Sequence, residues 1–199
     1  MKNTTENLLN NGFKVFHVKN AESALETAKR FFNKVESVGL GGSESVREIG
    51  LYEWMCKQDN FKLYNQYEQG ISMQENEERR KMGLHTDLYV TSSNAVSESG
   101  YLINVDGSGN RVSALSFGPK KVLLIVGKNK IVKDVEQGFT RIYNIAAPKN
   151  AERLNNKAAS LNKPQIYTVD NIQNHFSVVK KSDIQGRITV ILVDEELGY

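Results

Sequence analysis

Apolar residues near the start of the chain first alternate as in a strand and then recur as in a helix. Residues 13–18 place Phe13 and Val15 on one side, which predicts a strand. The side chain of Asn20 can accept a backbone N–H and so cap a following helix. Between residues 21 and 35 the apolar side chains recur at helical spacing and form one stripe. The first unit is therefore a strand followed by a helix.

A second unit of the same kind comes next. Residues 37–40 predict a short strand, and Gly41-Gly42-Ser43 predicts a tight turn. The turn leads into a helix that runs through Val46 to Met55. The order strand, helix, strand, turn and helix is typical of the start of a parallel α/β sheet.

The remainder of the chain adds strands of both kinds and further helices. Strands are predicted at residues 61–64, 87–91, 101–105, 112–117, 121–126, 176–179 and 187–193. Helices are predicted at residues 75–81, from Val132 to a break at Pro148, and at 151–161, with a loop over 162–175. We expect 87–91, 101–105 and 112–117 to be antiparallel, with residues 106–110 as a connecting turn. The pattern thus predicts a single α/β domain over residues 1–199, with a mixed sheet and flanking helices.

Composition and charge exclude several classes of protein. The net charge of +3 is evenly spread and too small to indicate a nucleic-acid partner. No apolar run approaches the roughly 20 residues that cross a membrane, and no apolar signal region follows the N-terminal residues. The one cysteine, Cys56, excludes an internal disulfide and a cysteine-only metal cluster, and no motif brings the three histidines together as metal ligands. We expect a soluble cytoplasmic domain with no metal site.

The segment 89–111 carries the densest candidate chemistry of the chain. A predicted strand runs into the polar residues Thr91–Asn94, and a lone acid, Glu98, follows. The next strand leads into a glycine turn that holds Asp106, Asn110 and Arg111. Open α/β sheets bind ligands where their strands end, so this pattern predicts a binding site.

Several motifs of the chain resemble those of a known family. They are Val38–Ser43 followed by Arg47–Gly50, Thr91–Ala95 followed by Glu98 and Gly100, Asn104–Val112, Phe117–Lys120, Val126–Val132, Ala146–Ala151 and Glu196–Tyr199. In this order and over nearly the whole chain, they resemble the lactate-utilization (LUD) domain family, which is related to lactate utilization protein C.

The resemblance implies a fold similar to that of the ribose-phosphate isomerase, glucosamine-phosphate deaminase and CoA-transferase group. It also implies a link to bacterial lactate oxidation, in which family proteins accompany iron–sulfur partners, although no reaction is assigned to the family. Stand-alone members commonly carry several cysteines after the second long helix, whereas residues 162–172 of this chain contain none. An iron–sulfur cluster needs about four thiolates, so none is expected in this chain.

The turn Gly41-Gly42-Ser43 lies between a predicted strand and a predicted helix. Backbone N–H groups at such a turn favour a phosphate or carboxylate, and the related folds use the equivalent turn for phosphate or CoA groups. The alternative is a tight turn in which Ser43 only caps the helix.

Ser93, Asn94 and Glu98 follow the first strand of the 89–111 segment. Asn94 is a candidate to orient a ligand, and Glu98 is the candidate general acid or base, or the nucleophile in an acyl-CoA transfer. The alternative is that Glu98 caps a short turn while Asn94 bonds to loop amides.

Asp106, Asn110 and Arg111 flank the glycine turn, and Lys130 follows the predicted central strand. Arg111 is a candidate to hold a carboxylate or phosphate with two parallel hydrogen bonds, and its alternative is an ion pair with Asp106. Lys130 lies at the end of the strand where a ligand would bind, and its alternative is a surface lysine at the start of a helix.

The sequence leads to one main hypothesis of function. We expect a small anionic metabolite at the carboxyl ends of the strands, in lactate or related organic-acid utilization. The alternatives are a CoA-transferase-like or isomerase-like enzyme that depends on Glu98, and a non-catalytic accessory subunit that docks onto an iron–sulfur lactate oxidation complex. A ligand-sensing regulator is the third class, and it is weakened by the lack of a DNA-reading segment.

Overall fold

Eight helices and ten strands follow one another in the computed structural model, which describes residues 1–199. Their order is α1 (Lys2–Asn10), β1 (Lys14–Val18), α2 (Ala21–Lys29), β2 (Ser37–Leu40), α3 (Glu44–Glu48), α4 (Leu51–Met55), β3 (Lys62–Tyr64), α5 (Met73–Gly83), β4 (Leu88–Thr91), β5 (Ala95–Ser97), β6 (Leu102–Asp106), α6 (Asn110–Ser116), β7 (Lys121–Gly127), β8 (Ile131–Val132), α7 (Val135–Arg141), α8 (Ala147–Ser160), β9 (His175–Val179) and β10 (Ile188–Val193). Short 3₁₀ turns follow α2 and β7, and a π-helical turn joins α7 to α8.

Six strands form one wholly parallel sheet in the order β1-β10-β7-β4-β2-β3. Strand β7 lies near its centre, between β10 and β4, and residues 122–127 are buried on both faces. A parallel strand with covers on both faces has a continuous apolar run, which is the pattern of residues 122–126. The predicted α/β class and the central position of this strand are confirmed.

The two faces of the parallel sheet pack against different partners. On one face Leu123 and Ile125 join a core cluster with residues of α2, α3 and α4. On the other face Val122 and Leu124 pack with residues of α1, α6 and a second sheet. The alternation follows from the pleat, because successive side chains of a strand point to opposite faces.

The second sheet has four strands in the order β8-β5-β6-β9. Strands β5, β6 and β9 are antiparallel neighbours, and β8 runs parallel to β5. Val96 and Leu102 of this sheet belong to the same core cluster as β7 and β10, so it packs onto the parallel sheet. The predicted mixed sheet is therefore two sheets, one wholly parallel and one mixed.

Two parts of the predicted middle region are wrong. Residues 88–91 belong to the parallel sheet, and residues 110–116 form helix α6 instead of a strand. Asp106 explains the helix, because its carboxylate accepts the N–H of Val112 in the first helical turn at 2.8 Å. The glycine turn is accordingly a connection from strand to helix.

Two predicted helix boundaries also differ from the structure. The helix predicted through residues 46–55 is broken at Gly50, which has a φ of 76° and divides it into α3 and α4. The helix predicted to break at Pro148 continues through the π-helical turn 142–146 into α8. Pro148 follows this π-helical turn, at the second residue of α8.

Gly39 lets β2 approach its neighbours closely. A Cβ at this position would lie 2.7 Å from the carbonyl oxygen of Gly83 and 2.8 Å from the ring of Tyr89. The buried Tyr89 ring and the end of α5 therefore occupy the space that a side chain would need.

Replacement of Gly39 by alanine should lower the free energy of unfolding by about 1–3 kcal/mol, the usual cost of overpacking. Urea denaturation followed by circular dichroism measures the change. Gly107→Ala is the matched control, because a Cβ there meets nothing closer than 3.4 Å. Equal stability of the two variants would contradict the close approach.

Candidate functional site

The loops at the carboxyl edge of the parallel sheet surround a cavity of about 670 Å³. Each of several loops supplies residues to it: Gly42 and Ser43 after β2, Gln66 and Tyr67 after β3, Ser92–Asn94 after β4, and Lys130 after β7. Parallel strands bring these loops together because their carboxyl ends meet at one edge. The cavity lies at the edge of the sheet where the sequence predicts a binding site.

The opposite wall comes from elements that the sequence analysis did not connect with the site. Helix α5 supplies Arg80, helix α8 supplies Arg153 and Lys157, and the loop after α8 supplies Lys163. Tyr199 also lines the cavity, and its hydroxyl accepts a hydrogen bond from Nε of Arg153 at 2.7 Å.

Cationic side chains outnumber carboxylates around this cavity. The six lysine and arginine residues are Arg80, Arg111, Lys130, Arg153, Lys157 and Lys163, and the two acids are Glu44 and Asp106. Both acids are paired, since Asp106 lies 2.8 Å from Arg111 and Glu44 lies 3.6 Å from Arg153. The other four lysine and arginine side chains have no carboxylate partner, so the cavity is suited to an anion.

Arg111 is buried, and protein acceptors take all of its hydrogen-bond donors. Nε donates to Asp106 at 2.9 Å, Nη1 to the carbonyl of Ser92 and to Asn104, and Nη2 to Asn94 and to the carbonyl of Val105. Of the two predicted roles, the structure shows the ion pair with Asp106. Arg111 contributes charge to the cavity but has no N–H left for a ligand.

Hydrogen bonds hold Asn94 in place, while the nitrogen of its side-chain amide has no partner in the protein. Its Oδ1 accepts from the N–H of Val105 at 3.0 Å and from Arg111, and its carbonyl accepts from Arg141 at 2.7 Å. Its Nδ2 donates to no protein atom, and the residue lines the cavity. The predicted orienting residue is thus rigidly placed with two N–H donors available.

Ser93 and Asn110 make mainly structural contacts. The Ser93 hydroxyl donates to the carbonyl of Ala95 at 2.8 Å. Asn110 donates to the hydroxyl of Tyr89 at 3.3 Å and accepts from Ser108 at 3.0 Å. Both residues line the cavity, but their polar atoms are largely occupied.

The glycine turn after β2 has a packing role as well as a place at the cavity. A Cβ on Gly41 would lie 2.5 Å from Oγ1 of Thr91, so only glycine fits there. Ser43 caps α3, since its Oγ accepts the N–H of Val46 at 3.2 Å. Gly42 and Ser43 line the cavity, whereas Gly41 does not.

Like Gly41, the predicted site residue Glu98 does not line the cavity. Asn94 precedes β5 and Glu98 follows it, so the strand separates the two residues. Glu98 is exposed at the β5–β6 turn, where its carbonyl accepts from Asn7 of α1 at 2.8 Å. The antiparallel hairpin therefore carries this acid to the far end of the strand, and the catalytic role of Glu98 loses its structural basis.

Lys130 is buried, with 3% of its surface exposed, although it carries no ion pair. Its Nζ donates to Oγ of Ser45 at 2.8 Å and to Oγ of Ser92 at 3.1 Å. Burial, reinforced by the nearby charges of Arg141 and Arg111, lowers the pKa of Lys130 to about 7. The predicted alternative, a surface lysine, is wrong.

The structure therefore defines an α/β protein with a cationic cavity at the carboxyl edge of a parallel sheet. The chain belongs to the LUD domain family, whose model matches residues 1–193, and this family is linked to lactate utilization. A crystal structure of a DUF162 family protein from Deinococcus radiodurans is similar over 96% of this chain and 94% of that chain, with a TM-score of 0.53 and 18% identity. At that identity the likeness shows the fold alone. No curated protein matches the chain.

Two general properties of the structure bear on the site. Nowhere do three or more histidine, cysteine, aspartate or glutamate residues gather as ligands for a metal ion. None of the helices combines the length and apolar character needed to span a bilayer.

Replacement of Lys130 by methionine should change how stability depends on pH. The pKa of Lys130 is about 7 in the folded protein and near 10.5 in the unfolded chain, so between these values the unfolded state binds more protons. The wild-type free energy of unfolding should then gain from this group as the pH rises from about 7 toward 10, a gain that the methionine variant lacks. The stability of Lys130→Met relative to wild type should fall over that range in urea denaturation. A constant difference would show that the folded amine keeps an ordinary pKa.

Replacement of Arg111 by lysine should lower the free energy of unfolding by about 3 kcal/mol or more, because it leaves the buried Asp106 poorly paired. Lys81→Ala, which removes an exposed pair with Glu77, is the control and should have little effect. Urea denaturation of both variants measures the contrast. Comparable losses of the free energy of unfolding in the two variants would contradict the stabilising role of the hydrogen bonds between Arg111 and Asp106.

Proposed function

We propose that this LUD-domain protein binds a small anionic metabolite, bearing a phosphate or a carboxylate, in the cavity at the carboxyl edge of the parallel sheet. The role fits lactate or related organic-acid utilization. The observation that carries the proposal is the set of three cations, Arg80, Lys157 and Lys163, that line the cavity without a carboxylate partner. Charge of one sign in a cleft concentrates ligands of the opposite sign.

Hydrogen-bond donors near these cations support the same ligand class. The guanidinium of the half-buried Arg80 donates to Ser108 at 2.9 Å, and its Nε has no acceptor. Asn94 also lines the cavity, and its side-chain Nδ2 donates to no protein atom. Charged and neutral N–H donors together suit the oxygens of a phosphate or carboxylate.

The size of the site is compatible with a metabolite and with a longer ligand. The volume of about 670 Å³ lies within the range of small-molecule sites. A second cavity of about 1080 Å³ adjoins it and shares Tyr67, Arg80 and Lys157. CoA esters and nucleotides therefore belong in a ligand screen beside lactate, pyruvate and phosphosugars.

The alternatives have different support. A CoA-transferase-like mechanism with Glu98 as nucleophile has none in the geometry, because Glu98 lies outside the cavity and the two acids inside it are paired. An isomerase-like enzyme would need a proton-transfer group at the cavity, and Lys130 is the available one. The accessory-subunit role predicts that the cavity binds no metabolite.

A thermal-shift screen against these compounds tests the proposal. A ligand at 100 times its dissociation constant should raise the free energy of unfolding by about 2.7 kcal/mol. Arg80→Ala and Lys157→Ala should each weaken the binding about tenfold, because a hydrogen bond to a charged group contributes about 1.5–3 kcal/mol.

Lys121→Ala and Glu98→Ala are the matched controls. Lys121 is exposed at the opposite, amino end of β7, and Glu98 is exposed outside the cavity, so neither change should alter the affinity. No stabilising compound among those tested, or equal losses in the control and site variants, would contradict the proposal and favour the accessory role.

A further inference from the structure

Two serine hydroxyls hold the buried amine of Lys130 at the cavity wall. The Nζ atom lies 2.8 Å from Oγ of Ser45 on α3 and 3.1 Å from Oγ of Ser92 after β4. Ser45 is fully buried and Ser92 nearly so, and the amine itself follows β7. Three separate segments of the chain therefore fix the position of this one nitrogen.

Both serine hydroxyls donate their own hydrogen bonds to backbone carbonyls. Ser45 donates to the carbonyl of Leu197 at 3.1 Å, and Ser92 donates to the carbonyl of Ser93 at 3.2 Å. Each serine oxygen is then an acceptor toward Lys130, and the amine donates to both. A neutral primary amine has two N–H groups and one lone pair, so these contacts use both of its N–H groups.

The third tetrahedral position of Nζ has no protein partner. No carboxylate forms an ion pair with Lys130, and a protonated amine would leave its third N–H without an acceptor in the protein. The buried setting and the adjacent Arg141 and Arg111 favour the neutral form. Lys130 is one of the residues that line the cavity.

We propose that Lys130 is an amine nucleophile that forms an imine with the carbonyl carbon of an anionic ligand, either a 2-oxo acid or a phosphorylated aldehyde or ketone. This inference rests on the proposed function, because the same cationic cavity must hold the anionic group. Desolvation beside other cations is the setting in which lysine forms Schiff bases.

The step requires no oxidant, reductant or metal. The lone pair of Nζ forms a bond to the carbonyl carbon, and the carbonyl π electrons move to the oxygen, which takes up a proton released by the nitrogen. The resulting carbinolamine loses its hydroxyl group, which leaves as water with the second N–H proton of the nitrogen, and the carbon–nitrogen double bond forms. Amine and carbonyl thus give imine and one water, and hydrolysis reverses the reaction.

Reductive trapping of the full-length wild-type protein tests the proposal. The protein is incubated at pH 7 with pyruvate, glyoxylate or dihydroxyacetone phosphate in the presence of sodium cyanoborohydride. Hydride addition to the imine carbon leaves a stable secondary amine, and peptide mass spectrometry locates it. We expect the adduct on Lys130 to form at least tenfold faster than on the exposed Lys121, with the preferred compound distinguishing a carboxylate from a phosphate ligand.

Two variants and a competitor give the controls. Lys130→Met keeps an unbranched side chain but lacks the nucleophile, and it should lose the fast adduct. Lys128→Arg changes an exposed neighbour and should leave the adduct unchanged. Lactate or inorganic phosphate, which have no carbonyl that can form an imine, should slow trapping on wild-type Lys130, a result that does not depend on the folding of any variant.

The outcomes separate this inference from the proposed function. Adducts only on exposed lysines, or an equal rate on Lys130 and Lys121, would overturn the nucleophile. If anions stabilise the protein in the thermal-shift screen while Lys130 forms no adduct, the proposed anion binding is supported and the proposed imine is overturned. If no anion binds and no adduct forms, both proposals are overturned.

Discussion

The buried guanidinium of Arg111 is the interaction on which the site depends. It joins the loop after β4 in the parallel sheet to the end of β6 in the second sheet, through the carbonyl of Ser92 and the carboxylate of Asp106. Asp106 in turn accepts the N–H of Val112 and starts α6. A buried charge of this kind is favourable only when every donor finds an acceptor, so the two sheets and the helix must meet in one arrangement.

The same network positions the groups that face the cavity. Arg111 holds the side-chain oxygen of Asn94, which leaves the side-chain nitrogen for a ligand. The hydroxyl of Ser92 accepts a hydrogen bond from Lys130 and donates one to the carbonyl of Ser93. Arg80 and Lys157 line the same cavity. Pre-organised donors need little reordering when an anion binds, and this favours affinity.

Local pattern predicted most of the fold and part of the site. Strands β1, β2, β7 and β10 and the cap at Asn20 follow from alternation, from continuous apolar runs and from capping chemistry.

Residues 112–116 were misassigned because the deciding contact, Asp106 with Val112, involves a carboxylate six positions earlier, and Val112 and Leu115 also suit a half-buried strand. Arg80 and Lys157 belong to helices outside the 89–111 segment, and only tertiary packing brings them to the cavity. Glu98 was linked to Asn94 by its closeness in sequence, whereas the hairpin separates them.

The place of β10 in the parallel sheet has a consequence for how the chain folds. Strand β10 lies between β1 and β7 and is the only strand that pairs with β1. Residues 14–18 therefore have no strand neighbour until residues 188–193 take their place beside them. This pairing closes a loop that contains nearly the whole chain. Contacts between residues so far apart in sequence slow folding, because the entropy of loop closure is lost before the contacts stabilise the structure. Tyr199 follows that strand and lines the cavity, so the site also draws on the segment that comes after β10.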